Sequence, residues 1–433
     1  MPRRRRFLAI VLPAAGLLLV QSVCIAQSRC SDPESFRRAA RKHQDDRRAM
    51  GVYRGLPPSD EDVVTMGQLT DFFEWTLARS ADSVGILYYS LDADTLRVWL
   101  IGQHGIRACN AQPATPGFLD SLVHQLHSSL ARGRAAARAA RPRGVEPEED
   151  DRAAPALPAA IRALTSLLLP AALRSELKTI PALIIVPTNS IGVVPFGLLQ
   201  PYDSASYLID RSSVAFAPNL RAIVQEVQRW RAPSRAVVVG NPLVESHPDW
   251  DFPPLPGAER EAETVASFFH TQPVIGPAAT RDSILALLRD NNSDLLYVAA
   301  HGVANPRSPL DSSFLALAGH DGGGWWTARQ IQSSALRGTE LVVLSACQSG
   351  LGRAHGAGII GLARAFQLAG VPRVVMSLWN VDDEATTAFM ADFTREILGD
   401  SPNNALQKTM IRMRARDPDP RHWAAFTLFG SIL

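Results

Sequence analysis

The sequence lacks a strong excess of charge of either sign. Its 44 Lys and Arg residues are balanced by 42 Asp and Glu residues, which leaves a net charge of +2 and gives no sign of a dedicated nucleic-acid-binding protein. It also lacks an internal repeat of 34 residues or of any other period, which argues against a helical-repeat array. With 46% hydrophobic, 20% charged and 7% aromatic residues, the chain is neither a collagen, a coiled coil nor wholly disordered.

Motifs that mark several common enzyme classes are also absent. The chain has no G-x-S-x-G nucleophile elbow, no G-x-x-x-x-G-K-[ST] phosphate-binding loop and no H-E-x-x-H zinc motif. A formal G-x-G-x-x-G runs from Gly356 to Gly361, but it starts well after the preceding apolar run, whereas a dinucleotide fingerprint begins in the strand–helix turn. Close packing of a loop and a helix is therefore the favoured interpretation. His355 is only a weak candidate metal ligand, and the sequence predicts neither a metal nor an organic cofactor.

The first 26 residues have the order of a secretory signal peptide. A basic cluster, Met1–Arg6, precedes the apolar run Phe7–Val20, and small residues end at Ala26, where cleavage is expected. The apolar run is short for a bilayer span, which needs about 20 residues. We therefore expect a protein exported to a periplasmic or extracellular compartment; the alternative is an uncleaved membrane anchor over residues 7–26.

The few cysteines bear on the redox state of the exported chain. Of Cys24, Cys30, Cys109 and Cys347, three remain if the leader is removed, so at least one thiol stays free or pairs between molecules. A bridge between Cys30 and Cys109 would leave Cys347 alone. The alternative is that all three are reduced.

The chain divides into three parts by composition. After the leader, residues 27–80 carry mixed charge and end in an amphipathic stretch, Val63–Leu77, so this segment is expected to be partly helical. The main domain is expected over residues 81–433 and begins with two strand-like runs that form a hairpin, Val84–Ser90 and Thr95–Ile101. Within it, residues 131–152 are arginine-rich and then acidic, which predicts a solvated, disordered loop. Another protease could process it.

From Ile161 onward, short apolar runs alternate with helical stretches. The runs are continuous rather than alternating, so the strands are expected to be buried on both faces of a mostly parallel sheet flanked by helices. This predicts an α/β sandwich with its chemistry at the carboxyl ends of the strands. The apolar runs are Ala182–Val186, Val214–Ala217, Ala236–Val239, Leu295–Ala300, Leu341–Ala346 and Arg373–Trp379.

Two of these runs end in residues that can carry chemistry. His301 and Gly302 follow one, and Cys347 follows the other. If the two strands are neighbours, an imidazole and a thiol lie at the same sheet edge, which suits nucleophilic catalysis. The backbone N–H groups of Gly302 and Cys347 could then form an oxyanion hole. The alternatives are a buried structural thiol and a histidine that only bonds a carbonyl.

The sequence around these residues resembles the CHAT domain, a caspase-like peptidase domain often found behind tetratricopeptide repeats. The resemblance rests on motifs in the expected order over about residues 81–433. They are Ala299–Gly302, Ser345–Gly350, Ser377–Asp383, Val194–Leu199, Phe216–Leu220, Val239–Pro242, Leu255–Glu259 and His422–Gly430. It implies a caspase-like αβα sandwich with a mostly parallel central sheet.

The resemblance also implies a cysteine endopeptidase of the group that contains caspases, gingipains and separase. Cys347 would be its nucleophile, His301 its acid and base, and Gly302 and Cys347 its oxyanion donors. A peptide or protein is the implied substrate, with a possible activating protein partner, no nucleic acid, and membrane contact only through an uncleaved leader. The alternative is a catalytically silent module for protein interaction.

The substrate cleft is the least determined part of this prediction. Ser345, Gln348, Trp379, Asp382 and Asp383 are its candidate residues. Related enzymes that cut after basic residues often carry an acid where this chain has Ser345, which weakens an arginine or lysine preference. The two aspartates can instead cap a helix expected over Glu384–Ile397.

Overall fold

The computed structural model describes residues 34–40, 67–69, 71–72, 84–130, 141–142, 157–225, 229–245, 250–305, 308, 310–319, 323–345, 347–348 and 357–432. The strands in this part of the chain are β1 Val84–Leu91, β2 Thr95–Gly102, β3 Gly105–Pro113, β4 Arg141–Pro142, β5 Ala182–Val186, β6 Ser213–Phe216, β7 Ala236–Pro242, β8 Trp250–Asp251, β9 Val274–Gly276, β10 Leu295–Ala299, β11 His301–Val303, β12 Phe314–Ala316, β13 Trp325–Thr327, β14 Leu341–Leu344, β15 Cys347–Gln348, β16 Arg373–Ser377 and β17 Phe426–Gly430. The α-helices are α1 Pro116–Leu130, α2 Leu157–Leu168, α3 Ala171–Leu177, α4 Leu220–Gln225, α5 Pro256–Phe268, α6 Arg281–Asp290, α7 Ala328–Gln332, α8 Ala357–Leu368, α9 Asp383–Ile397, α10 Pro402–Arg416 and α11 Pro420–Trp423.

A large sheet organises the molecule. Among the described residues it has eleven strands in the order β3-β2-β1-β5-β6-β17-β16-β14-β10-β7-β9. Seven of its ten pairings are parallel and three are antiparallel. The inner strands are fully buried runs of apolar residues, so the prediction of a mostly parallel sheet within an α/β sandwich is confirmed.

A second, smaller sheet stands beyond the carboxyl ends of the central strands. It runs in the order β13-β12-β11-β15. Strand β11 begins two residues after β10 ends, and β15 begins three residues after β14 ends. The chain therefore leaves the large sheet at two neighbouring strands and pairs again just outside it.

The amino-terminal part of the domain extends the large sheet. Strands β1 and β2 form the predicted hairpin, and β3 adds an antiparallel strand that the sequence analysis did not identify. Phe36, in the short helix 34–40, packs edge-on against Tyr88 at 5.3 Å and against Trp99 at 5.7 Å between ring centres. Cys109 in β3 is in a disulfide bond.

Some sequence predictions fall mainly outside the described residues. The leader lies there entirely, as does most of the stretch Val63–Leu77, of which 67–69 and 71–72 are helical. Of the predicted loop 131–152, the structure describes Arg141–Pro142, which pair with Trp250–Asp251 as a short antiparallel strand, unlike the loop predicted at these two residues.

One further property of the described helices concerns membranes. None of them, taken singly, has the length and apolar character to cross a bilayer. The pair α2 and α3 passes a test of length and composition together, with a bend of 87° between its two helices.

Candidate active site

The two predicted strand ends are neighbours in the structure. Strands β10 and β14 are adjacent and parallel in the large sheet, with Val298 opposite Leu344. Beyond them, β11 and β15 are also adjacent and parallel, with His301 directly opposite Cys347. Neighbouring strands lie about 4.8 Å apart. The prediction that His301 and Cys347 follow adjacent parallel strands is therefore confirmed.

The His301 imidazole is held by a backbone carbonyl. The residue is 3% exposed, and its Nε2 lies 2.7 Å from the carbonyl oxygen of Pro253. Because a carbonyl oxygen only accepts, Nε2 carries the hydrogen and the neutral ring keeps its lone pair on Nδ1. Nδ1 is buried and has no hydrogen-bond partner among the described residues. His301 Nδ1 is therefore available to accept a hydrogen bond, and His301 lies next to β15, which begins with Cys347.

The surroundings of His301 favour its neutral form. Burial is the largest influence and lowers the pKa of the imidazole, while the Pro253 carbonyl and the negative charge of Asp251 partly oppose that shift. The Phe252 ring lies against the imidazole, with 5.5 Å between ring centres. The segment from Asp251 to Pro253 therefore supplies the hydrogen bond, the apolar contact and the nearby charge that set the tautomer and basicity of His301.

An aromatic cluster supports that segment. We define it as Trp250, Phe252, Phe314 and Trp325, which pack with Val303 as a second apolar core. The Phe314 and Trp325 rings meet edge to face at 4.0 Å, and Phe252 lies 5.4 Å from Trp325. Since the cluster joins β8, β12 and β13 and packs on Val303 of β11, it connects the loop that holds His301 to the small sheet.

A buried carboxyl, that of Glu261, lies near Ser345, the residue that follows β14. Glu261 is 3% exposed and accepts a hydrogen bond from the Tyr297 hydroxyl. The Ser345 N–H donates to the Val298 carbonyl at 2.9 Å, which places the Ser345 hydroxyl near enough to influence this carboxyl. Burial, together with the charge of Asp383, raises the pKa of Glu261 to about 7, while the hydroxyls of Ser345 and Tyr297 act in the opposite direction.

Glu261 is not among the site residues predicted from the sequence. A signal was present: Gly257, Glu261 and Val265 are spaced at i, i+4 and i+8, which is the buried face of α5. A charged residue on such a face is uncommon and is normally partnered.

The CHAT domain family matches residues 158–431, well over half of the chain. The chain belongs to the CHAT domain family. The curated relatives include tetratricopeptide repeat protein 28 of Homo sapiens, 26% identical over 295 residues, and its Mus musculus counterpart, 26% identical over 296 residues. Each match covers 58% of this chain, and the chain spans 12% of the length of either relative.

Solved structures similar to this CHAT domain protein include a separase–securin complex and a gingipain. A Saccharomyces cerevisiae separase–securin complex matches 58% of this chain and 16% of that chain, at a TM-score of 0.39 and 16% identity. The Arg-specific cysteine proteinase gingipain R matches 62% of this chain and 68% of that chain, at a TM-score of 0.39 and 8% identity.

The other residues predicted to line the cleft lie in different parts of the CHAT domain. Gly302 and Gln348 are opposite each other in β11 and β15, beside the His301–Cys347 pair. Asp382 is the N-cap of α9, where its carboxylate accepts from the Glu384 N–H at 3.0 Å, so the capping alternative is confirmed.

Trp379 and Asp383 are the last two residues predicted to line the cleft. Trp379 is 2% exposed, and its indole N–H donates to the Arg421 carbonyl at 3.0 Å. It belongs to the core, in contrast to its predicted place in the cleft, because its ring is buried and its N–H is bonded to the Arg421 backbone of α11. Asp383 is half-buried, and a Cβ added to Gly257 would lie 2.3 Å from its carboxyl carbon. The amino ends of α5 and α9 are thus in close contact near Glu261.

The described residues offer little support for a metal site or a nucleotide-binding site. In that part of the chain no three His, Cys, Asp or Glu side chains gather in a way that could hold a metal ion. His355 and Gly356 lie outside it, and Gly361 lies inside α8 rather than in a strand–helix turn.

Proposed function

We propose that this CHAT domain protein is a cysteine endopeptidase in which Cys347 is the nucleophile and His301 the acid and base. The observation that carries the proposal is the direct pairing of His301 with Cys347 on adjacent strands, combined with an imidazole whose Nε2 is occupied by Pro253 and whose Nδ1 is unused among the described residues. A neutral, oriented imidazole beside a thiol is the arrangement that thiol-dependent acyl transfer needs.

The proposed reaction proceeds in two halves. His301 Nδ1 takes the thiol proton of Cys347, and the sulfur attacks the peptide carbonyl carbon to form a tetrahedral oxyanion. The backbone N–H groups of Gly302 and Cys347 stabilise this oxyanion; one such donor is worth about 3 kcal/mol of barrier. The protonated His301 then gives its proton to the departing amine as the C–N bond breaks, which leaves a thioester.

In the hydrolysis of the thioester, water is the nucleophile and the Cys347 sulfur is the leaving group. His301 Nδ1 takes a proton from water, and the oxygen attacks the thioester carbonyl. The C–S bond then breaks, the carboxyl product leaves, and the proton returns to the sulfur. The carbonyl of Pro253 holds the ring in one orientation through both halves, as the third member of a triad does.

We also propose that the enzyme acts after export. The leader-like residues 1–26 support this, and so does the disulfide at Cys109, because disulfides persist in oxidising compartments. Strand β14, which leads to Cys347, lies seven strand positions from β3, or about 34 Å at 4.8 Å per step. Cys347 is therefore too distant to bridge Cys109, and we propose Cys30 as the partner in the chain cleaved after Ala26.

Alkylation of the unreduced protein tests the proposal. Iodoacetamide is expected to modify one thiol, Cys347, at a rate that falls about tenfold at pH 7 in His301→Ala, because an unassisted thiol is only a few per cent ionised there. His124→Ala, at an exposed histidine of α1, serves as the matched control. Cleavage of a denatured-protein library should be lost in Cys347→Ala.

The opposite result would favour a different function. Equal alkylation of the wild type and His301→Ala, with no peptide cleaved, would support a silent module for protein interaction. Mass spectrometry of the unreduced protein would at the same time show whether Cys30 and Cys109 are joined.

A further inference from the structure

One face of the small sheet carries both the proposed catalytic pair and the aromatic cluster. Residues that pair directly across neighbouring strands lie on the same face of a sheet. The registers therefore place His301 of β11, Ala316 of β12 and Trp325 of β13 on one face, together with the position of Cys347 in β15. Phe314, two residues before Ala316 in β12, lies on that face as well.

The opposite face of the small sheet is buried against the main core. Leu315 and Trp326, which pair in register, are fully buried, and the Trp326 ring meets Phe366 of α8 at 5.6 Å between ring centres. In the aromatic cluster, by contrast, every ring except that of Phe314 is partly exposed. A peptide that reaches the proposed catalytic pair therefore approaches from the face that the cluster shares.

The strand order assigns the cluster to one side of the cleaved bond. In the order β13-β12-β11-β15, His301 lies between Cys347 and the two cluster strands β12 and β13. In the proposed reaction the acyl part of the substrate is bonded to the Cys347 sulfur, while His301 gives its proton to the departing amine. The part of the substrate that follows the cleaved bond is therefore directed past His301, toward the aromatic cluster.

Phe252 is the member of the cluster that contacts the proposed acid and base. Its ring centre lies 5.5 Å from that of the His301 imidazole and 5.4 Å from that of Trp325. The first side chain after the cleaved bond branches from the carbon atom that is bonded to the departing nitrogen. A large side chain at this position can therefore lie against Phe252 while the departing nitrogen is next to His301.

From this arrangement we infer that the partly exposed rings of the cluster form a specificity site for the residue that follows the cleaved bond. The site takes a large apolar or aromatic side chain, because the surface it offers beside His301 is apolar. Burial of such a side chain is favourable, and an aromatic ring also gains from edge-to-face contacts with Phe252 and Trp325. The inference rests on the proposed peptidase function.

Peptides that differ only in the residue after the cleaved bond test the inference. Sites cut in the denatured-protein library supply the sequence before the bond, and phenylalanine, leucine or alanine then follows it. Wild type is expected to show a kcat/KM about tenfold higher with phenylalanine or leucine than with alanine, since partial burial of a large apolar side chain contributes roughly this factor.

Variants of the cluster should change this ratio. Phe252→Ala and Trp325→Ala should each lower the phenylalanine-to-alanine ratio about threefold or more, because each removes part of the apolar surface. Phe252→Leu should keep most of the ratio. Phe118→Ala, at an exposed ring of α1, is the matched control and should leave it unchanged. Phe252→Ala also alters the surroundings of His301, but that effect acts on all peptides and cancels in the ratio.

Capture of the acyl-enzyme by added amines tests the same site with a constant acyl part. An amine can replace water, so that a new C–N bond forms as the C–S bond breaks and the amine proton passes through His301 to the sulfur. Phenylalaninamide should capture the acyl group about tenfold better than alaninamide in wild type. In Phe252→Ala this preference should fall together with the preference in peptide cleavage.

The possible results separate this inference from the function on which it rests. If the cluster is only structural, its variants will lower kcat/KM for all peptides alike and leave both ratios unchanged, which would overturn the inference. Cleavage by wild type before alanine as fast as before phenylalanine would also overturn it and leave the peptidase standing. No cleavage of any peptide, together with alkylation that does not depend on His301, would overturn the peptidase and with it the specificity site.

Discussion

Replacement of Glu261 by glutamine should change how the stability of the protein depends on pH. Burial raises the pKa of this carboxyl from 4.5 to about 7. The folded state therefore holds a proton that the unfolded chain releases between about pH 4.5 and 7. In that interval the folded state binds more protons, so the contribution of Glu261 to the free energy of unfolding falls as the pH rises and then stays level above pH 7.

The size of this effect follows from the two pKa values. Each unit of pKa difference corresponds to about 1.4 kcal/mol, so the total loss is about 3 kcal/mol, most of which falls between pH 5 and pH 8. Glutamine keeps the shape and cannot ionise. Relative to wild type, Glu261→Gln should therefore gain about 2–3 kcal/mol in free energy of unfolding between those pH values.

Urea unfolding of the full, unreduced chain at pH 5, 6, 7 and 8 measures this difference. The comparison with wild type is needed because His127 acts in the opposite direction: burial lowers its pKa to about 4, so its contribution is lost as the pH falls from 6.5 toward 4. His127 is unchanged in both proteins and cancels. Glu263→Gln is the matched control. A difference between Glu261→Gln and wild type that stays constant across the four pH values would refute the argument, since the hydroxyl donors of Tyr297 and Ser345 would then suffice to stabilise the carboxylate.

Three further outcomes are expected. Phe252→Ala should admit water to the His301 imidazole and raise its pKa toward the usual 6.5; an NMR titration would show it, and an unchanged value, as expected for the exposed Phe118→Ala, would count against shielding by this ring. Gly240→Ala should cost about 1–3 kcal/mol in thermal unfolding, because the added carbon would lie 2.4 Å from the Cβ of Ala262; a neutral effect would mean that α5 can move away from β7. Asp382→Ala should lose about 1 kcal/mol through its N-cap bond, whereas Asp382→Asn should lose much less; equal losses would contradict a capping role.

The strands that lead to the site could be predicted because each is a continuous run of apolar residues in the sequence. The continuous apolar run Ala182–Val186, for example, coincides with strand β5. A shared site for His301 and Cys347 required the two strands before them to be neighbours, and they are. The ends were harder to predict. The run Leu341–Ala346 predicts one strand, but β14 ends at Leu344, since Cys347 pairs with β11 in the second sheet rather than continuing beside β10.

Other parts of the site depend on contacts that leave little trace in the sequence. The Pro253 carbonyl that orients His301 is a backbone group, which any residue provides. Glu261 comes from a different element than Ser345 and meets it only after α5 packs on β10. The sequence around Trp379 does not show whether its side chain lines a cleft or lies in the core. In the structure it is buried, and its N–H bonds the Arg421 carbonyl of α11.

The distance between the bridged cysteine and the proposed nucleophile has a practical consequence. Cys109 lies in the outermost strand of the large sheet, and the strand leading to Cys347 is close to its other end. Thiol–disulfide exchange between the two within one molecule is sterically out of reach. Dithiothreitol added to keep a catalytic thiol active would therefore open a bond in a remote part of the molecule, and turnover measured with and without it would compare two covalent forms of the protein.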